Sequence, residues 1–240
     1  MYDPIEVDIS ANLLEELFDK CKKKSISIAL IGGWATHFYV NRAYKSAFGK
    51  DYMGSRDIDI CFEPSKEREL KKLILEIGFM ENGYPFRWEK VYNRETKKFL
   101  TIYEAKKEAV YNLIHIFLDI FCEKETNYLK SWNLDALKGL KHYDIEGFSL
   151  VDIDTLVDLK CVALFTRDKA DKESKDACDL YALLAYGGMN IRTSDMLKRA
   201  IEKILNRPDL IYVIAQHVLL DAAKQNIVIH TLNAKLKSIA

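Results

Sequence analysis

The residues best able to do chemistry are Asp57 and Asp59, in the run Ser55-Arg56-Asp57-Ile58-Asp59-Ile60. In a strand, alternate side chains share a face, so both carboxylates point one way and Ile58 and Ile60 the other. Roughly 7 Å then separates them along the strand, and they repel unless a cation lies between them. Hard oxygen donors of this kind suit Mg²⁺, which keeps several waters and is often shared with phosphates. A solvated edge strand would carry the same pattern. A third acid, Asp119, interrupts the otherwise apolar run 113–121. A carboxylate in a buried strand is costly unless it is ion-paired or metal-bound. His115 shares that face four residues earlier, roughly 13 Å away along a strand, and is expected as a core histidine.

These acids need elements to position them. Residues 25–31 alternate and then run apolar, which predicts a strand ending at Gly32-Gly33, with a helix over 34–44. Glycines between a strand and a helix let backbone N–H groups approach a phosphate, and the helix N-terminus adds partial positive charge. Most such pairs are merely turns. Trp34, Phe38 and Tyr39 follow at helical spacing and read as core. The acids themselves fall on a strand over 57–63, reached through a polar loop at 47–56.

Helices are predicted over 11–23, with Ser10 as N-cap, and over 66–77, closed by Gly78. Three further β-like runs span 86–92, 99–104 and 113–121, and the pattern is almost wholly helical from Ile153, with breaks at Gly187-Gly188 and Pro208. The expectation is an α+β chain, with strands and a few helices over 1–150 and a helical bundle over 151–240.

Composition bounds the rest. The 240 residues carry 36 Lys+Arg and 36 Asp+Glu, a formal net charge of zero. This argues against nucleic-acid binding by bulk electrostatics, and no stable DNA binding is expected. From Arg192 onward, however, eight basic residues face four acidic ones. Five scattered cysteines with no Cys-x-x-Cys pair disfavour a disulfide framework or zinc site and point to a reducing compartment. Acids in the first ten residues do not resemble a signal peptide, and the apolar stretches around 28–40 and 113–122 are too short to span a bilayer. A cytoplasmic protein is expected.

The glycine pair, the Asp-x-Asp strand and a third acid on a later strand together resemble the DNA polymerase β-like nucleotidyltransferase superfamily, over roughly residues 25–122. The resemblance implies a mixed-sheet nucleotidyltransferase domain in which Asp57 and Asp59 hold two Mg²⁺ ions, or Mn²⁺. Asp119 would complete one ion's shell and help deprotonate the attacking hydroxyl. Ser55 and Arg56, with Gly32 and Gly33, would contact the triphosphate of an NTP. In the helical half, Lys160, Arg167 and the Lys175-Asp176-x-x-Asp179 cluster resemble the AbiEii family, the toxin nucleotidyltransferases of type IV toxin–antitoxin systems. That likeness implies a Lys160 that binds nucleotide phosphates and an Asp176 that orients it or the arginine, with Asp179 in support. On spacing alone, the same acids and lysines describe a solvated, salt-bridged helix face. The resemblance also implies transfer of an NMP to a macromolecular hydroxyl such as a tRNA end, and a cognate antitoxin as partner. Two alternatives stand beside it. Gly32-Gly33-Trp34 is similar to the turn of antibiotic nucleotidyltransferases acting on aminoglycosides or lincosamides, although Thr36-His37 replaces the acid usual there. A non-catalytic nucleotide-binding module would keep the fold without turnover.

Overall fold

The computed structural model describes residues 3–123, 126, 132–133, 141–167, 170–188 and 190–238. The first helix, α1 (Pro4–Lys23), begins earlier than the periodicity from residue 11 suggests. Asp3 caps it by accepting the Ile5 N–H at 2.9 Å, and Pro4 occupies the first helical position, where no N–H is needed. Ser10 is therefore not an N-cap. It is buried inside α1, and its hydroxyl accepts the Trp34 Nε1–H at 3.0 Å.

The fully buried strand β1 (Ile28–Ile31) runs directly into α2 (Gly32–Phe48). After the loop comes β2 (Ile58–Phe62), then α3 (Glu67–Ile77), which stops at Gly78 in the left-handed region with φ 92°. Next are β3 (Met80–Glu81), β4 (Arg87–Asn93) and β5 (Lys98–Leu100). The expected strand over 99–104 ends early because Thr101 and Glu104 form a capping box and start a short helix, α4 (Ile102–Ala105). The long β6 (Leu113–Cys122) follows, with β7 (Trp132–Asn133) beside it. β8 (His142–Ile145) and β9 (Phe148–Val151) are two short strands that periodicity did not reveal, joined at Glu146 and Gly147, both at positive φ.

Among the described residues nine strands form one mixed sheet, ordered β3-β4-β6-β2-β1-β9-β8, with β5 on β4 and β7 on β6. β1 is antiparallel to β2, β2 is parallel to β6, and β6 is antiparallel to β4. Alternation sets the faces. Ile58 and Ile60 of β2 and Ile114, Ile116, Leu118 and Ile120 of β6 are all buried, while Asp59 is half-buried between them in sequence. α1 packs on α3 and on β6.

The helical elements are α5 (Ile153–Thr166), α6 (Ala170–Tyr186), α7 (Asp195–Leu205), α8 (Pro208–His217) and α9 (Gln225–Lys237). α6 stops before Gly187, and Pro208 opens α8 at its first position, so both sequence breaks are helix ends. The chain divides into two compact units: one holds the residues up to Trp34 together with Gly54–Leu150, the other Ala35–Met53 together with Val151 onward. Most of α2 thus belongs with α5–α9, where the Tyr39 hydroxyl donates to the Val151 carbonyl at 2.7 Å and Tyr44 to Val218 at 2.8 Å. The architecture is α+β. No helix among the described residues is long and apolar enough to cross a membrane.

Candidate functional site

Strand register assembles the acids. Arg87 of β4 pairs with Asp119 of β6, Asp119 with Asp59 of β2, and Asp59 with Ile31 of β1, the residue before Gly32. Directly paired residues share a face and neighbouring strands lie about 4.8 Å apart, so one row crosses four strands. Asp57 is not on the ladder. β2 begins at Ile58, leaving Asp57 in a bend where its carboxylate meets Arg56 Nε at 3.2 Å. Alternation alone therefore does not orient it. Its charge is nevertheless felt in the row. The Arg87 guanidinium is held above its ordinary pKa first by its hydrogen bonds to Asp119, then by the charges of Asp119, Asp57 and Asp59.

The Arg87–Asp119 pair is bidentate, with Nε to Oδ1 at 2.7 Å and Nη2 to Oδ2 at 2.5 Å. Asp119 is 6% exposed, so the cost of burying an acid in this strand is met by an arginine. The guanidinium also lies 4.8 Å from the centroid of Phe117, on the same face two residues before Asp119. Arg87 was not legible as a site residue, because only the long-range β4–β6 register brings it to the acids. His115 is half-exposed rather than a core residue. Its Nδ1 meets Glu89, whose carboxyl this contact holds below the ordinary range.

Gly32 closes the row from the β1 side. Its φ is 68°, and a Cβ built there would lie 2.1 Å from Asp59 Oδ2. The Asp59 carboxylate therefore rests against the Gly32 Cα, a position no side chain could share. Gly33, next in the chain, and Ser55, two residues before Asp57, are also buried.

The all-oxygen donor set of Asp57, Asp59 and Asp119 matches what Mg²⁺ takes. Among the described residues, though, no group of three or more His, Cys, Asp or Glu side chains is disposed to hold a metal ion. Asp119 is instead engaged by the Arg87 guanidinium.

The second set of expected residues lies in the helical unit and is buried, not a solvated face. Lys160 Nζ donates to Asp176 at 3.0 Å and to Asp179 at 2.6 Å. Asp179 also accepts from Lys175 at 2.9 Å and from the Tyr52 hydroxyl at 2.9 Å, and Asp176 from Arg167 Nε at 3.0 Å. Tyr52 reaches the network from the loop after α2, a long-range contact with no local signature in the sequence. Burial alone would lower the Lys160 pKa, but the charges of Asp179 and Asp176 outweigh it and hold the ammonium above its usual value. Burial would likewise raise Asp179, and Lys160 with Lys175 reverse this to a net lowering. A carboxyl with a depressed folded pKa stabilises the fold above its unfolded value near 4 and loses that contribution as pH falls through the folded value. Urea unfolding midpoints measured from pH 7 downward should thus fall once pH drops below the ordinary carboxylate range. The fall should be shallower in Asp179→Asn; an equal slope in both proteins would rule out this source.

The five cysteines are all buried and free, and burial pushes the thiols of Cys21, Cys61, Cys161 and Cys178 up to about 12. They are inert side chains rather than nucleophiles.

No protein-family model matches the chain, and no curated protein matches it. Among solved structures, it resembles an antigenic nucleotidyltransferase-like protein from Paracoccidioides brasiliensis at 16% identity, covering 86% of this chain and 92% of that one, with a TM-score of 0.45. It is also similar to JHP933 from Helicobacter pylori, at 14% identity over 99% of this chain and 96% of that one, with a TM-score of 0.53. That second likeness, spanning both chains almost end to end, is one of fold.

Proposed function

We propose that this chain is a divalent-metal-dependent nucleotidyltransferase that moves an NMP from an NTP to a hydroxyl of a macromolecular acceptor. The observation that carries the reading is the register Asp59↔Asp119 on parallel β2 and β6, with Asp57 in the bend just before β2. Two strand-borne carboxylates and a third in the bend before them, beside a glycine turn, fit phosphoryl chemistry, which asks the protein mainly for positioning and charge. Mg²⁺ bound by Asp57, Asp59 and Asp119 would supply Lewis-acid polarisation of the phosphoryl oxygens and neutralise the leaving pyrophosphate. Asp119 accepts the proton of the attacking hydroxyl as its oxygen bonds to the α-phosphorus and the bond to pyrophosphate breaks. Ser55, Arg56 and the Gly32-Gly33 turn are assigned to the triphosphate. Lys160 is assigned to the nucleotide phosphates on the AbiEii likeness alone.

The finer reading is an AbiEii-type enzyme acting in the cytoplasm on RNA such as a tRNA end, paired with a cognate antitoxin. It is supported by the Lys160, Arg167, Lys175-Asp176-x-x-Asp179 pattern and by the mildly basic C-terminal stretch.

The test is incubation of the protein with each labelled NTP, Mg²⁺ and total RNA. Label is expected on RNA with wild type and not with Asp57→Ala or Asp59→Ala. Transfer that persists in both variants refutes the assigned site. Transfer only to an aminoglycoside or lincosamide would replace the acceptor, and nucleotide binding without transfer would favour a non-catalytic module. Growth arrest on expression, relieved by Asp57→Ala, would support the toxin role.

A further inference from the structure

The feature of the acid site that nucleotidyl transfer does not use is Arg87. We infer that Arg87 is a resident counter-cation: it positions Asp119 before metal loading, and a divalent ion must displace it to engage that carboxylate. The inference rests on the reading of Asp57, Asp59 and Asp119 as a metal site.

Three observations support it. The guanidinium spends two donors on the two oxygens of Asp119, at 2.7 and 2.5 Å, so the carboxylate's strongest acceptor positions are directed at arginine. The same guanidinium stands on the register row that Asp59, Asp119 and Arg87 share across β2, β6 and β4. It is also held by more than charge. The Phe117 ring lies 4.8 Å beneath it, and Tyr84 and Phe86 lie 5.8 and 5.9 Å away. A buried carboxylate left without a cation would be costly. An arginine from the neighbouring strand keeps Asp119 paired and aimed until a harder cation arrives. Arginine serves here better than lysine, because its planar fork grips both oxygens at once.

Competition of this kind has a signature that a merely structural salt bridge lacks: removing the arginine should improve metal binding. Mn²⁺ titrated calorimetrically into the full chain without nucleotide is expected to bind Arg87→Gln about tenfold more tightly than wild type. Arg87→Lys, which keeps the charge and loses the fork, should fall between them. In thermal unfolding, metal-free Arg87→Gln should melt below wild type and gain more from saturating Mn²⁺ than wild type does. Equal or weaker Mn²⁺ binding by Arg87→Gln overturns the inference while leaving nucleotidyl transfer standing. Should Arg87→Gln not fold without metal, Arg87→Lys decides, and affinity no better than wild type overturns the inference. Absence of Mn²⁺ binding in every form overturns the metal-site reading and this inference with it.

Discussion

Asp179→Ala is expected to destabilise the helical unit by about 3–5 kcal/mol, the usual cost of leaving one partner of a buried ion pair behind. That is a large fraction of the 5–15 kcal/mol typical of a whole domain, so partial unfolding at moderate temperature should follow. The magnitude comes from the environment. Asp179 is 0% exposed and accepts from Lys160, Lys175 and the Tyr52 hydroxyl, so its removal strands an ammonium and orphans a buried phenol. Lys160 would keep only Asp176, which is shared with Arg167. Asp179→Asn retains volume and an acceptor for Tyr52 and should cost less. Lys160→Met with Asp179→Leu removes that ion pair as a unit, leaves Asp176 with Arg167, and should be more stable than either single change, since well-packed apolar pairs can match a buried ion pair. Urea unfolding followed by far-UV circular dichroism measures all of these. A shift below about 0.5 kcal/mol for Asp179→Ala, the range of ordinary surface changes, would show that the network contributes nothing.

The same network shows where sequence reading stops. Lys160, Asp176 and Asp179 stand at helical spacing, and their types pointed to function, but a helix rich in Lys and Asp reads as solvent-facing. Only the packing of α5 on α6, with Tyr52 arriving from a distant loop, makes these groups interior. The sheet was more legible. Alternation located β2 and β6 to within a residue, because one face of each is buried and the other carries an acid. Two boundaries are set by local rules that override periodicity: Asp3-Pro4 as a helix start and Thr101-x-x-Glu104 as a capping box. Arg87 belongs to a different class. Its role depends on β4–β6 register, a long-range property with no local signature, and nothing in Phe86-Arg87-Trp88 distinguishes it from a surface arginine.

A glycine at position 32 lets the backbone approach a phosphate, and the geometry gives it a second, stricter duty with a large predicted consequence. Gly32→Ala should lower stability by about 2–4 kcal/mol, combining the penalty for an L side chain in the left-handed region with that for overpacking. The added methyl would meet Asp59 Oδ2 at 2.1 Å and Asp59 Cγ at 2.8 Å, contacts that cannot persist. Asp59 sits on a strand paired on both sides, so its backbone yields little and its carboxylate must turn. A displacement near 1 Å in a positioning group costs about 10²-fold in rate, so transfer activity should fall by about that factor even where the protein folds. The two causes separate in a double-mutant cycle. Asp59→Ala removes the oxygen and Cγ collisions and leaves only a Cβ contact at 3.0 Å, so the double variant should be more stable than the sum of the singles by about 1–2 kcal/mol. Additivity within about 0.5 kcal/mol would mean that backbone conformation alone requires the glycine. A favourable coupling, measured by urea unfolding of the four proteins, would tie the glycine to the aspartate: the turn would then be conformed to the carboxylate as much as to any phosphate.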